Sequence, residues 1–221
     1  MKNIFIIPFL IISIFSCNQE KEINISNLKY LALGDSYTIG EGINFDVSYP
    51  KQIVNEISFI DSVKVIAKTG WTTNELIDTL SKSNIEKFDV VSLLIGVNNQ
   101  FRGYQIDKYI MEFENLLIRA LSYSKYKKNV FVLSIPDYGV TPFGKKRGQE
   151  RIYNEINSYN DINRLMSEKY NVMYFDITEI SREAENDSTL LVEDKLHPSE
   201  KMYEMWIEKL KYQLIDSLKN I

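Results

Sequence analysis

From residue 28 onward the chain alternates short apolar runs with longer stretches in which apolar residues recur every three to four positions. The runs at 28–33, 63–67, 88–95, 130–135 and 172–177 read as five strands. The third is a nearly continuous block of Val, Leu and Ile, the pattern of a strand buried on both faces. The stretches 50–57, 73–80, 106–123, 152–170 and 202–218 read as helices. Pro50 suits the start of the first. Leu76, Ile77 and Leu80 share one face, as do Ile110, Phe113, Leu117 and Leu121, and again Trp206, Leu210 and Leu214. The aromatic and methionine residues on these stripes are expected in the core.

Strands alternating with helices predict a parallel sheet covered by helices on both sides. Right-handed crossovers restrict its topology. Reactive groups in such folds gather outside the C-terminal edge of the sheet. Ser36 follows the first predicted strand, Gly70 the second and Asn98 the third. Asp194 and His197 follow the fifth and precede the last helix. Four polar segments are therefore expected to meet at one rim.

The first residues read differently. Met1-Lys2-Asn3 is a small basic head, and 4–15 is apolar apart from Pro8 and Ser13. That stretch is shorter than the roughly 20 residues a membrane span needs and fits the core of a secretory signal peptide. It ends at Ser16-Cys17, which resembles a bacterial lipoprotein signal. The expected organisation is a signal peptide at 1–16, a lipidated Cys17 opening a polar tether that runs to 27, and one domain at 28–221. A multi-chain lipid anchor would hold the protein firmly to the cell envelope, as its only contact with a membrane. Cys17 is the only cysteine, so no disulfide forms within the chain.

Composition narrows the class. A length of 221 residues suits one full core. Hydrophobic content of 44% and charged content of 25% are ordinary for a globular protein. A net charge of -4 argues against a nucleic-acid binder. The basic runs at 125–128 and 145–147 are short and read as solvated loops.

The chain has one histidine, His197, within Asp194-Lys-Leu-His197-Pro198. It is the only side chain whose unperturbed titration falls near neutrality. Asp194 can fold back on one ring nitrogen while the other faces a nucleophile, the logic of a Ser-His-Asp set. Pro198 disfavours helical geometry at His197, which places the histidine in a loop or at a helix start. The nucleophile candidate is Ser36, in Gly34-Asp35-Ser36. Taken alone, that tripeptide is equally a turn or a helix cap. Serine attack on a carbonyl creates an oxyanion that needs aimed donors. The N–H groups of Ser36 and Gly70 and the amide of Asn98 could supply them, although Gly70 and Asn98 also suit plain turns. One histidine and one cysteine cannot build a usual zinc site.

Together these residues resemble the SGNH hydrolases, also called GDSL-type esterases and lipases. The four blocks of that family match here at Gly34-Asp35-Ser36, at Gly70, at Gly96-Val97-Asn98 and at Asp194-Lys-Leu-His197, in the family's order. The resemblance implies a three-layer α/β/α sandwich with a flavodoxin-like five-stranded parallel sheet. It implies Ser36 as nucleophile, His197 as base and acid, and Asp194 as orienting carboxylate. Ser36, Gly70 and Asn98 would form the oxyanion hole, with no metal and no organic cofactor. One position departs: the third block commonly ends in Asp, whereas this chain has Asn99. The charge lost there alters the local hydrogen bonding. The expected substrates are small-acyl esters such as acetylated carbohydrate, with segment 137–148 folded over the pocket. Lipid esters or lysophospholipids, acyl transfer to a sugar, and turnover-free binding of a glycan or lipid are the alternatives.

Overall fold

The computed structural model describes residues 26–219; the expected signal peptide, Cys17 and most of the tether lie outside the described residues. The strands are β1 (Leu28–Gly34), β2 (Ile60–Ala67), β3 (Val90–Leu94), β4 (Val130–Leu133) and β5 (Met173–Phe175). The helices are α1 (Ser36–Ile39), α2 (Tyr49–Glu56), α3 (Thr73–Ser81), α4 (Val97–Phe101), α5 (Ile106–Tyr123), α6 (Pro142–Lys145), α7 (Gln149–Lys169), α8 (Thr178–Arg182) and α9 (Glu200–Lys219).

All five strands pair in parallel, in the order β2-β1-β3-β4-β5. Helices α2 and α9 pack together on one face, and α3, α5 and α7 cover the other. This is the three-layer sandwich with flavodoxin-like strand order that the alternating pattern and the family resemblance implied. The fully buried strands are β3 and β4; β4 is continuously apolar and β3 is so apart from Ser92. Strand β2 lies at an edge, and its exposed Asp61 and Ser62 explain why the apolar pattern reveals only its second half.

The stripe Trp206, Leu210 and Leu214 is buried, with the Trp206 ring edge-on to Tyr203 at 4.7 Å and tilted against Tyr49 at 6.0 Å. On the opposite face Leu76, Leu80, Phe113 and Leu117 are buried between α3, α5 and the sheet. The polar residue buried within β3 is satisfied: Ser92 Oγ lies 2.6 Å from the Tyr30 hydroxyl.

The register positions the site. Gly34, the last residue of β1, pairs with Ala67 at the end of β2 and with Leu94 at the end of β3. Three loops therefore leave the sheet side by side, where the chain crosses from β2 over β1 to β3. Such a crossing point in an open α/β sheet opens a crevice for ligands.

Candidate active site

Residues after β1, β2 and β3 and before α9 enclose one cleft of about 180 Å³. Ser36, Gly70, Asn98 and His197 all line it. Its remaining wall is largely apolar, from Val97, Phe101, Tyr138, Phe143 and Leu196.

Ser36 opens α1 directly after β1, and the turn is tight. A Cβ on Gly34 would come within 2.0 Å of Thr38 Oγ1 and 2.4 Å of the Leu94 carbonyl, so only glycine fits. Asp35 caps α1 by accepting the Tyr37 N–H at 3.1 Å. Its second carboxylate oxygen is buried without a partner. Burial pushes this carboxyl up to about 7, against the smaller opposing effect of the Tyr37 hydrogen bond.

His197 sits on a tight return of chain. Leu191 bridges Pro198 in antiparallel fashion, and the Val192 N–H donates to the His197 carbonyl at 3.0 Å. Lys195 at the tip has a left-handed φ of 57°, uncommon for a residue with a side chain. This bend lets Asp194 curl inward. One of its oxygens accepts the Leu196 and His197 N–H groups at 2.8 and 3.0 Å. The other lies 2.6 Å from His197 Nδ1. Partial burial raises the Asp194 carboxyl, but the bonds from the His197 ring and from the two backbone N–H groups outweigh that and leave it below its ordinary value. An ionised carboxylate only accepts, so Nδ1 carries the proton and Nε2 is the basic nitrogen of the neutral ring.

Two contacts tie the serine turn to the histidine loop. The Tyr37 ring, next to Ser36, meets the His197 ring edge-on at 5.7 Å. The Tyr203 hydroxyl on α9 donates to the Tyr37 carbonyl at 2.8 Å.

The three candidate donors belong to the segments that directly follow β1, β2 and β3, and all line the cleft. Gly70 holds a left-handed φ of 80°, which glycine adopts without strain. Its carbonyl accepts from Arg102 Nη2 at 2.6 Å, which fixes the peptide. Among the described residues neither the Gly70 N–H nor the Ser36 N–H is engaged elsewhere. Asn98 follows β3, as expected, and lies in the first turn of α4. Its Nδ2 donates one hydrogen to the Trp71 carbonyl at 3.0 Å, and the amide's second hydrogen remains for a ligand. Among the described residues no group of three His, Cys, Asp or Glu side chains is spaced to hold a metal ion.

Asn99 is fully buried and its role is structural. Its Oδ1 accepts the Thr73 N–H at 3.0 Å, and its Nδ2 donates to Thr73 Oγ1 at 2.6 Å. The Thr73 hydroxyl gives its one proton to Glu112. Residue 99 must therefore donate to Oγ1, which an amide can do and a carboxylate cannot. The departure from the family's usual Asp is compensated by Thr73 and Glu112.

Segment 137–148 does reach the cleft, through Tyr138 and Phe143. It is folded more tightly than a plain loop: α6 lies within it, and Asp137 is ion-paired to Arg182 at 3.0 Å. Sequence patterns gave no sign of Phe101, whose ring packs 6.0 Å from Phe143, or of Arg102. Helix α4, which holds Phe101 and is capped at its C-terminus by Arg102, has five residues, too few for a periodic pattern.

The profile of the GDSL-like lipase/acylhydrolase family matches residues 32–205. The chain belongs to that family, and it is a carboxylic ester hydrolase. Among solved structures it is similar to a member of the lipolytic protein G-D-S-L family from Veillonella parvula DSM 2008, at 14% identity and TM-score 0.65, with 83% of this chain and 96% of that one covered. It is also similar to the acetylxylan esterase Axe2 from Geobacillus stearothermophilus, at 19% identity and TM-score 0.64, with 87% and 96% covered. No curated protein matches it by sequence.

Asn99→Asp should destabilise the fold by about 1–3 kcal/mol by leaving Thr73 Oγ1 without its donor. Urea unfolding measures this, and an unchanged midpoint would contradict the assignment. A second test concerns Asp35. Between its ordinary value of 3.8 and about 7, the folded chain holds a proton there that the unfolded chain has lost. Its contribution to stability is thus present at low pH and falls as pH rises through this window, by up to about 1.4 kcal/mol per unit. Asp35→Asn should flatten the fall in stability between pH 5 and 7, and a slope equal to wild type would refute the buried-acid assignment.

Proposed function

We propose that the chain hydrolyses short-acyl esters of a hydroxyl-rich alcohol, such as an acetylated carbohydrate, through an acyl intermediate on Ser36. The observation that carries this reading is a single cleft lined by Ser36 and His197, with His197 Nδ1 held 2.6 Å from the Asp194 carboxylate.

In the first half-reaction His197 Nε2 takes the Ser36 proton as Oγ bonds to the ester carbon. The carbonyl electron pair moves to oxygen, which the Ser36 and Gly70 N–H groups and the Asn98 amide stabilise. Removal of one such donor typically costs about 3–4 kcal/mol of barrier. Collapse breaks the bond to the alcohol, which leaves with the proton from His197. Water then repeats the sequence and frees Ser36. Asp194 holds the ring tautomer and stabilises the imidazolium.

The cleft volume of about 180 Å³ supports a short acyl group, being below the ~300 Å³ at which drug-sized pockets begin. The long chain of a lysophospholipid is correspondingly disfavoured. Resemblance to an acetylxylan esterase agrees with a carbohydrate alcohol. The intact hydrolytic set speaks against a protein that only binds its ligand. In this reading the enzyme is exported and held to the cell envelope by lipid on Cys17.

A fluorophosphonate probe should label wild type and not Ser36→Ala, whose kcat/KM should fall by about 10³-fold or more. On nitrophenyl esters kcat/KM should rise by up to about fourfold per methylene from acetyl, following the ~0.8 kcal/mol of each buried CH₂. It should then decline once the chain outgrows the cleft. Undiminished labelling of Ser36→Ala would contradict the proposal, as would rates that climb steadily to palmitoyl esters.

A further inference from the structure

A second cavity, of about 540 Å³, adjoins the cleft. Two chain segments contribute consecutive residues to both and form the ridge between them. Phe143 and Leu196 face the cleft, while their neighbours Pro142 and Lys195 line the larger cavity. A small space lined by Tyr138, Leu191 and Leu196 lies between, sharing walls with both.

The larger cavity is more polar than the cleft, although Val140, Pro142, Leu191 and Val192 keep part of its wall apolar. Lys145 and Lys195 are balanced by Glu185 and Glu193, so the lining carries no net charge. Lys145 and Glu185 are paired at 3.2 Å. The side chains of Asn186, Ser188, Glu193 and Lys195 make no hydrogen bond to another described residue. They offer donors and acceptors together, beside apolar surface from Pro142 and Val192. An anionic ligand would gain nothing from a neutral lining, and an acyl chain would strand its polar groups. A neutral ligand with many hydroxyls and some C–H surface matches both properties.

We infer that this cavity is a subsite for the sugar units that flank an esterified residue, so that the acyl group enters the aromatic cleft while the oligosaccharide lies across the ridge beside the histidine loop. The inference rests on the ester-hydrolase reading and extends it from a single ester to a polymeric carbohydrate. Glu193 and Lys195 stand on the same return of chain as Asp194 and His197, so a sugar held there is held at a fixed distance from the base.

The test compares singly O-acetylated monosaccharides with the corresponding trisaccharides in the xylose, glucose and mannose series. Wild type should show kcat/KM at least about tenfold higher on the trisaccharide in one series or more, carried by KM. In Asn186→Ala/Ser188→Ala, and independently in Ser188→Trp, which fills the cavity, that gain should shrink below about threefold. Both sites are exposed, and thermal unfolding of each variant checks its fold. The inference is overturned if wild type shows no gain with length in any series, or if the gain survives both variants. Absence of wild-type turnover on every ester, together with no fluorophosphonate labelling of Ser36, would instead bring down the hydrolase reading and this inference with it.

Discussion

Everything in the site depends on how the first three strands end. Gly34 is paired on one side with Ala67 and on the other with Leu94, so the β1, β2 and β3 loops start level. A shift of register along either ladder would move a candidate donor by about 3.3 Å per residue, more than a hydrogen bond tolerates. The constraint is steric as well as topological. The missing side chain at Gly34 lets the Thr38 hydroxyl and the Leu94 carbonyl close over the turn that presents Ser36.

The histidine comes from a different part of the chain and is held by different means. Its loop is a short return closed by the Leu191 to Pro198 bridge, and the Asp194 carboxylate folds back onto that return. Three hydrogen bonds converge on that one carboxylate, two of them from backbone, so Asp194 organises the loop as well as the ring. Helix α9 then carries the loop onto the serine turn through the bond from Tyr203 to the Tyr37 carbonyl. The buried aromatic cluster of Tyr49, Tyr203 and Trp206 anchors α9 against α2, which links core packing to the approach of base and nucleophile.

Much of this was legible in the chain because it rests on long-period patterns. Continuous apolar runs disclosed β3 and β4, and three-to-four spacing disclosed α5 and α9. The rule about sheet edges gathers Ser36, Gly70, Asn98 and His197 at one rim from their positions after the strands alone. Tertiary contacts without local signature stayed hidden. The short helices α4, α6 and α8 span four or five residues each, too few for a periodic pattern, and of the three only α6 has a cap bond from its own N-cap side chain, Thr141. Phe101 entered the cleft wall unseen, and the left-handed Lys195 carries no glycine to mark it. The meaning of Asn99 required knowing that Thr73 and Glu112 surround it, residues far away in sequence.

The central claim is that one cleft directs a hydroxyl, a base and three donors at the same atom. The most direct measurement is a crystal structure of the wild-type protein after reaction with a fluorophosphonate. The account predicts phosphorus bonded to Ser36 Oγ and the phosphoryl oxygen within about 3.1 Å of Ser36 N, Gly70 N and Asn98 Nδ2. It also predicts His197 Nε2 on the side of Oγ, with Asp194 still on Nδ1. A phosphoryl oxygen turned to solvent, with those donors bonded elsewhere, would contradict it.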